Sequence, residues 1–191
     1  MRVFIFLMAL ASTTLFAANQ NDLDKLLALK KAQPIHLDLS NVDLRTYPFI
    51  PGKINLVQAN ISHSNLSGVN LSGMDLSGAD LSFTDLSNAK LVKANLTGAN
   101  LDHANFSGAQ LTQSNLTRAN LNFAQLTSAN LQEVVFTDAN LTCANLNQAD
   151  LTKATFTAAT ISGATLINTN TTEVTGYESA HDSPVNCDAT A

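Results

Sequence analysis

The sequence predicts an all-β solenoid, in which short extended segments wind into a coil and each coil stacks on the one before. Three observations predict this fold class. Large apolar residues recur at every fifth position, and the residue two positions before each of them is small, most often Ala. The composition lacks Trp, carries only 13% charged residues and is dominated by Ala, Leu, Asn, Thr and Ser, which is typical of a repeat protein.

The period of five fits neither a helix nor a straight strand. From Leu56 to Leu166 every fifth residue is Leu, Ile or Phe, which makes 23 anchors without an insertion. Steps of five rotate by about 140° on a helix and alternate faces on a strand, so neither element buries the anchors together. A chain that runs extended for about three residues and then turns by about 90° brings every anchor to one axis. Four such units close a coil of about twenty residues, and successive coils stack about 4.8 Å apart.

The units ANLTG, ANLDH, ANFSG, ANLTR, ADLSF and ADLTK resemble the pentapeptide-repeat family, whose pattern is A(D/N)LXX. The resemblance covers residues 54–168. It implies a right-handed quadrilateral β-helix with four pentapeptides per coil, and a bacterial source because the family is mostly bacterial. A leucine-rich repeat has a much longer period and does not fit.

The chain begins with a segment that predicts export. Residues 1–17 contain Arg2, an apolar run and a small-residue end, which are typical of a signal peptide cleaved near Ala17 or Ala18. We therefore expect a periplasmic or secreted protein with no stable membrane insertion after cleavage.

Residues 18–53 are predicted to cap the first coil. A short amphipathic capping helix is expected from Asn21 to Ala32, ending before Pro34. A partial coil follows, and its register breaks where seven residues separate Phe49 from Leu56. Residues 54–168 then form the β-helix, and residues 169–191 form a C-terminal tail.

No arrangement of residues in the repeats predicts catalysis, a metal or a cofactor. No acid has another acid twenty residues away, so the stacked carboxylate pair of a glycan-cleaving enzyme is missing from the pattern. Ser and Thr follow the anchors without a His and an orienting group beside them. His63 and His103 lie two coils apart, roughly 9.6 Å, which is too far for one metal ion to bridge with bonds near 2 Å. We therefore expect a protein that is not an enzyme.

Residues twenty apart should stack, which predicts three columns. Phe136 should lie over Phe156 in the core. At the second position after the anchors, Lys93, Gln113, Glu133 and Lys153 form one column, with Glu133 paired to Lys153. A second such column holds four rings and a cysteine: His63, Phe83, His103, Phe123 and Cys143.

The ring-bearing column predicts an interaction stripe, because water does not favour an exposed apolar surface of this kind. The tail carries the other cysteine, so we expect a Cys143–Cys187 disulfide that pins the tail at the upper end of the stripe and leaves His63, Phe83 and His103 open. Two free thiols with an undocked tail are the alternative.

The function that follows is that of an exported, non-enzymatic scaffold for an unidentified protein partner, with a homodimer as another use of the stripe. A DNA-mimicking topoisomerase-binding protein, which the family resemblance implies, and a glycan-binding surface protein are the alternatives. The first is disfavoured by export and by a repeat region with only seven acids against four bases. The second depends on aromatic rings that stack on sugars. A net charge of −5 without a basic cluster argues against nucleic acid as a partner.

Overall fold

The computed structural model describes residues 37–177 together with Val185 and Cys187. The predicted signal peptide 1–17 and the predicted helix 21–32 lie outside the described residues. Within them, extended structure consists of single bridged residues separated by two-residue turns, without longer strands or an α-helix.

Parallel bridges join residues twenty positions apart, from Asn60–Asp80 to Thr155–Thr175. Each bridged residue directly precedes an anchor, and we call this the flank position. The spacing confirms four pentapeptides per coil. The bridges continue to Thr175, so the coil extends past the sequence-based boundary at Asn168, and Val174 packs against the core there.

Each side of the coil ends in a tight turn of fixed geometry. The N–H of Ala59 donates to the C=O of Leu56 at 3.1 Å, and the same bond recurs at nearly every turn. The second residue after each anchor has a positive φ, as in Gln58 at 56° and Gly68 at 70°. A bonded turn with positive φ at its third residue has the type II arrangement. We call this third residue the corner position.

The first coil absorbs two extra residues. Asp38 and Asp43 pair with Asn60 and Asn65 at a separation of 22 rather than twenty. The insertion lies between Phe49 and Leu56, where the N–H of Lys53 donates to the C=O of Ile50 at 3.0 Å in an additional turn.

The anchors and the small residues before them fill the interior of the coil, and the anchors of residues 56–156 are almost completely buried. Burying each Leu contributes roughly 1.5–3 kcal/mol. Phe136 stacks on Phe156 with ring centroids 4.9 Å apart, which confirms the stack predicted from the twenty-residue offset. At the C-terminal end the core is less completely covered, and Ala164, Leu166 and Val174 are half-buried against it.

The flank positions form ladders of side-chain amides with one direction. Asn140 donates to Asn120, Asn120 to Asn100 and Asn100 to Asp80, at 3.1, 3.1 and 3.0 Å. A carboxylate accepts but cannot donate, so Asp fits only at the N-terminal base of a ladder. Four flank acids occupy that place: Asp75, Asp80, Asp85 and Asp150. The Oδ1 atoms of these four carboxylates are therefore engaged in hydrogen bonds within the fold.

Candidate interaction surface

Four rings stack along one edge of the coil: His63, Phe83, His103 and Phe123, here called the ring column. Their centroids are 4.9, 4.7 and 4.9 Å apart in that order, and their planes differ by 2°, 12° and 23°. The stack is therefore about 14 Å long and one ring wide. The coil spacing of about 4.8 Å sets the separation, because each ring stands on the same corner position of its coil.

The backbone under the ring column is the left-handed backbone of every corner. Phe83 has φ of 56° and Phe123 has φ of 54°. Side chains in this region cost about 1–2 kcal/mol relative to Gly. Stacking stabilises the folded state by about 0.5–1.5 kcal/mol for each ring pair. The rings therefore add little net stability, and the need to fold does not by itself account for them.

The rings cover one another's faces and present their edges to solvent. Phe83 is 50% exposed, His63 and His103 are exposed, and Phe123 is half-buried. At centroid separations under 5 Å no further group fits between two rings. Because sugar stacking uses ring faces, this geometry disfavours the glycan-binding alternative.

Asp102 holds the His103 ring in place. Its Oδ2 lies 2.9 Å from His103 Nδ1, and its Oδ1 accepts a 3.0 Å bond from the Asn122 amide. Asp102 is thus fixed from both sides at the edge of the ring column.

The net charge of residues 37–177 lies on the side of the ring column. Five acids occupy the two faces that meet at this edge: Asp38, Asp43, Asp80, Asp85 and Asp102. The base found among the described residues of those faces is Arg45, which pairs with Asp43 at 2.6 Å. The rest of the described surface balances, with five acids and five bases: Asp75, Glu133, Asp138, Asp150, Glu173, Lys53, Lys90, Lys93, Arg118 and Lys153. With neutral histidines, the ring side carries −4 and the remainder zero.

The upper end of the ring column is occupied by the tail. Cys143 follows Phe123 in the column and forms a disulfide with Cys187, with an S–S distance of 2.06 Å. Above it, Gly163 has no room for a side chain, since a Cβ there would meet Cys187 Sγ and Val185 Cγ2. Cys187 Sγ also lies 3.5 Å from the Gly163 carbonyl oxygen. The tail thus fills the place that a side chain takes in the coils below.

Residues 37–177, Val185 and Cys187 contain no group of three His, Cys, Asp or Glu side chains that could hold a metal ion. In the same part of the chain no helix has the length and apolar character needed to cross a membrane.

The fold and this surface define a β-helical repeat protein with an exposed ring-bearing edge. The family model for pentapeptide repeats matches the chain in eight copies, over residues 54–91, 81–118, 94–132, 119–157 and 135–172. The chain belongs to the pentapeptide-repeat family. Proteins of this family form right-handed quadrilateral β-helices, in agreement with the predicted fold.

Solved structures of the family show the same fold. A pentapeptide repeat protein from the Arabidopsis thaliana thylakoid lumen is 35% identical, with a TM-score of 0.51 over 52% of this chain and 70% of its own. A pentapeptide repeat protein from the cyanobacterium Cyanothece 51142 is 24% identical, with a TM-score of 0.51 over 62% of this chain and 91% of its own. The plasmid-mediated fluoroquinolone resistance protein QnrB1 is 17% identical over 78% of this chain and 92% of its own, and its TM-score of 0.28 is too low to compare the two overall folds. No curated protein sequence matches the chain.

Sequence reasoning placed the four rings and the two cysteines where the structure has them. It missed the acidic side of the coil and the role of Asp102. Both features follow when the charged residues are sorted by their position within the twenty-residue coil, because the register determines whether a residue lies at a flank position, at a corner position or elsewhere on a face.

Proposed function

We propose that this protein is an exported, non-enzymatic scaffold that binds a protein partner through the ring column. The observation that carries the proposal is the ring column itself: four stiff aromatic rings, two of them phenyl rings, stand on corner positions where Gly or a small polar residue costs less. Exposed apolar surface of this kind is typical of interaction sites. Pentapeptide repeat proteins are generally structural or interaction proteins, which supports the non-enzymatic reading.

Export is supported by two independent features. Residues 1–17 have the pattern of a signal peptide, and Cys143 and Cys187 are joined as a disulfide, which persists in oxidising compartments. The similar protein from Arabidopsis thaliana is a protein of the thylakoid lumen. N-terminal sequencing of the native protein checks this: a chain that starts near Ala18 supports export, and an intact Met1 in a cytosolic fraction contradicts it.

The two alternatives have weaker support. A DNA-mimicking topoisomerase ligand needs a charge density near that of a duplex, whereas residues 37–177 carry about −4 along the coil. Glycan binding needs free ring faces, and the stack covers both faces of Phe83 and His103 and one face each of His63 and Phe123.

The experiment that tests the scaffold is affinity capture from the source organism with matched variants. The mature wild-type protein, Phe83→Ser and Asn88→Ser are immobilised in parallel. Asn88 is a suitable control because it occupies the next corner of the same coil, is exposed and has φ of 57°. We expect a specific partner to be retained by wild type and by Asn88→Ser and lost from Phe83→Ser. Equal retention by all three proteins would remove the ring column from the function.

A further inference from the structure

The acidic residues around the ring column restrict the classes of partner that can bind it. Asp80 and Asp85 lie in the same coil as Phe83, one on each of the two faces that meet at its edge. Asp102 lies one coil further, beside His103. Phe83 is thus bordered by a carboxylate on each side and His103 by one, while Lys90, Lys93 and Lys153 lie around the opposite edge.

Several classes of partner do not match this surface. Nucleic acid and anionic membranes would be repelled by the acidic faces. A second copy docked ring column to ring column would bring two acidic bands together, and a ridge about 14 Å long buries much less than the roughly 800 Å² per partner of a stable dimer.

From this we infer that the ring column docks a basic amphipathic segment of a partner protein, one that presents an apolar stripe with Lys or Arg on each side of it. This inference rests on the proposed function and names the kind of partner. The apolar stripe covers the exposed ring edges, and the flanking cations face Asp80 and Asp85. Opposite charges on either side of the apolar contact fix the orientation of the segment and raise the association rate.

The amide ladders make a clean charge test possible. Asp80 and Asp85 accept ladder bonds from Asn100 and Asn105 and donate none. An Asn at either position keeps the accepting oxygen, so Asp80→Asn and Asp85→Asn remove charge without removing a bond. Asp75 and Asp150 accept the same ladder bonds near the opposite edge and provide a control with equal loss of charge, in which Asp150→Asn also loses the bond from the Gln132 amide to Asp150 Oδ2.

The probe is a labelled amphipathic peptide of about 14 residues built from Leu and Lys, which as a helix spans about 21 Å and covers the whole ring column. A second peptide replaces Lys with Glu, and a third replaces Leu with Ser. Binding to the disulfide-intact mature protein is measured by fluorescence anisotropy at about 50 mM salt, where charge interactions are only partly screened.

We expect the Leu and Lys peptide to bind wild type, and the other two peptides to bind at least about tenfold more weakly. Phe83→Ser and the Asp80→Asn, Asp85→Asn double variant should each weaken binding about fivefold to tenfold, whereas Asn88→Ser and the Asp75→Asn, Asp150→Asn double variant should change it less than about twofold.

Four results would overturn the inference, and they separate it from the proposed function. Equal weakening by the two double variants, or no binding up to about 1 mM peptide, would remove the basic segment as occupant. Equal or tighter binding of the Leu and Glu peptide, with Phe83→Ser still harmful, would reject the basic partner and keep the ring column as a binding surface. Binding of the Leu and Lys peptide that ignores Phe83→Ser would reject both the docking mode and the proposed surface.

Discussion

The ring column can be compared with the column on the opposite edge of the coil, formed by Lys93, Gln113, Glu133, Lys153 and Glu173. The backbone is the same at both edges, with φ between 54° and 60° at each of these positions. On the opposite edge, long polar side chains meet in pairs, as in the 2.8 Å bond from Gln113 to Glu133 and the 3.8 Å ion pair of Lys153 with Glu173. At the ring column, flat rings form one continuous stack.

This difference shows that the corner backbone does not dictate its side chain. Gly, Lys, Gln, His and Phe all occupy the same turn, so the choice of residue at a corner is free for other purposes. The opposite edge is an ordinary solvated surface, worth about 0–1 kcal/mol per ion pair. The ring edge combines stacked phenyl and imidazole rings, flanking carboxylates and a tail held by a disulfide.

The largest loss of stability should follow removal of the Cys143–Cys187 disulfide, which holds the tail above the ring column. Cys187→Ser opens a disulfide that closes a sequence separation of 44 residues, and loop-closure entropy then assigns a loss of up to about 4 kcal/mol in unfolding free energy. Chemical denaturation of the oxidised protein, with and without a thiol reductant, measures it. The unfolding free energy of the reduced wild type should match that of Cys187→Ser. A wild type whose unfolding free energy does not change with reductant would contradict a stabilising disulfide.

The amide ladder beside the ring column predicts opposite results for two exchanges at equivalent positions. Asn120→Asp removes the bond to Asn100 and places a carboxylate against an amide oxygen, which should cost about 1–3 kcal/mol. Asp80→Asn keeps every acceptor and should leave stability unchanged within about 0.5 kcal/mol. Thermal melts at neutral pH compare the two, and equal losses would mean that the ladder has no direction.

Glycine at matched corners of the two edges tests how little the rings stabilise. Phe83→Gly loses two stacked pairs and relieves a left-handed backbone, so we expect a net loss of only about 1 kcal/mol. Gln113→Gly should change unfolding free energy by less than about 0.5 kcal/mol. If Phe83→Gly instead unfolded the protein, the rings would be structural rather than a free surface.

The smallest expected effect is the pH dependence of the stabilisation by Asp150, which lies on a face that borders the opposite edge. Hydrogen bonds from the Thr152 hydroxyl and the Gln132 amide lower the pKa of Asp150. Its contribution to stability is therefore present above the unfolded pKa of about 3.9 and is lost as pH falls through the lower folded value. The difference in melting temperature between wild type and Asp150→Asn should shrink from pH 5 to pH 2, and a difference that stayed constant would show that these bonds do not favour the charged form.

The repeat register predicted most of the fold and the residues that belong to each column, because a fixed period of twenty determines which residues stack. The register did not determine with which of its two neighbours in a column a side chain forms a hydrogen bond or an ion pair. The sequence-based pair of Glu133 with Lys153 is not formed: Glu133 accepts from Gln113, and Lys153 pairs with Glu173. Lys153 has an acid twenty residues away on either side, and the predicted end of the coil at Asn168 excludes Glu173.

The candidate surface was predictable as a set of residues but not as a geometry. Spacing alone places Phe83 and His103 in one column, yet it does not show that their faces are covered, which changes the kind of ligand that fits. The direction of the amide ladders was also hidden, since it depends on which side-chain atoms meet between coils.

The most direct test of the account is site-specific photo-crosslinking in the source organism. A photoreactive residue replaces Phe83 in one version of the protein and Gln113, at a corner of the opposite edge, in another. The account predicts a discrete crosslinked product from position 83 and none from position 113, because the partner covers the ring column and leaves the opposite edge in water. A product from position 113 alone, or equal products from both positions, would contradict it.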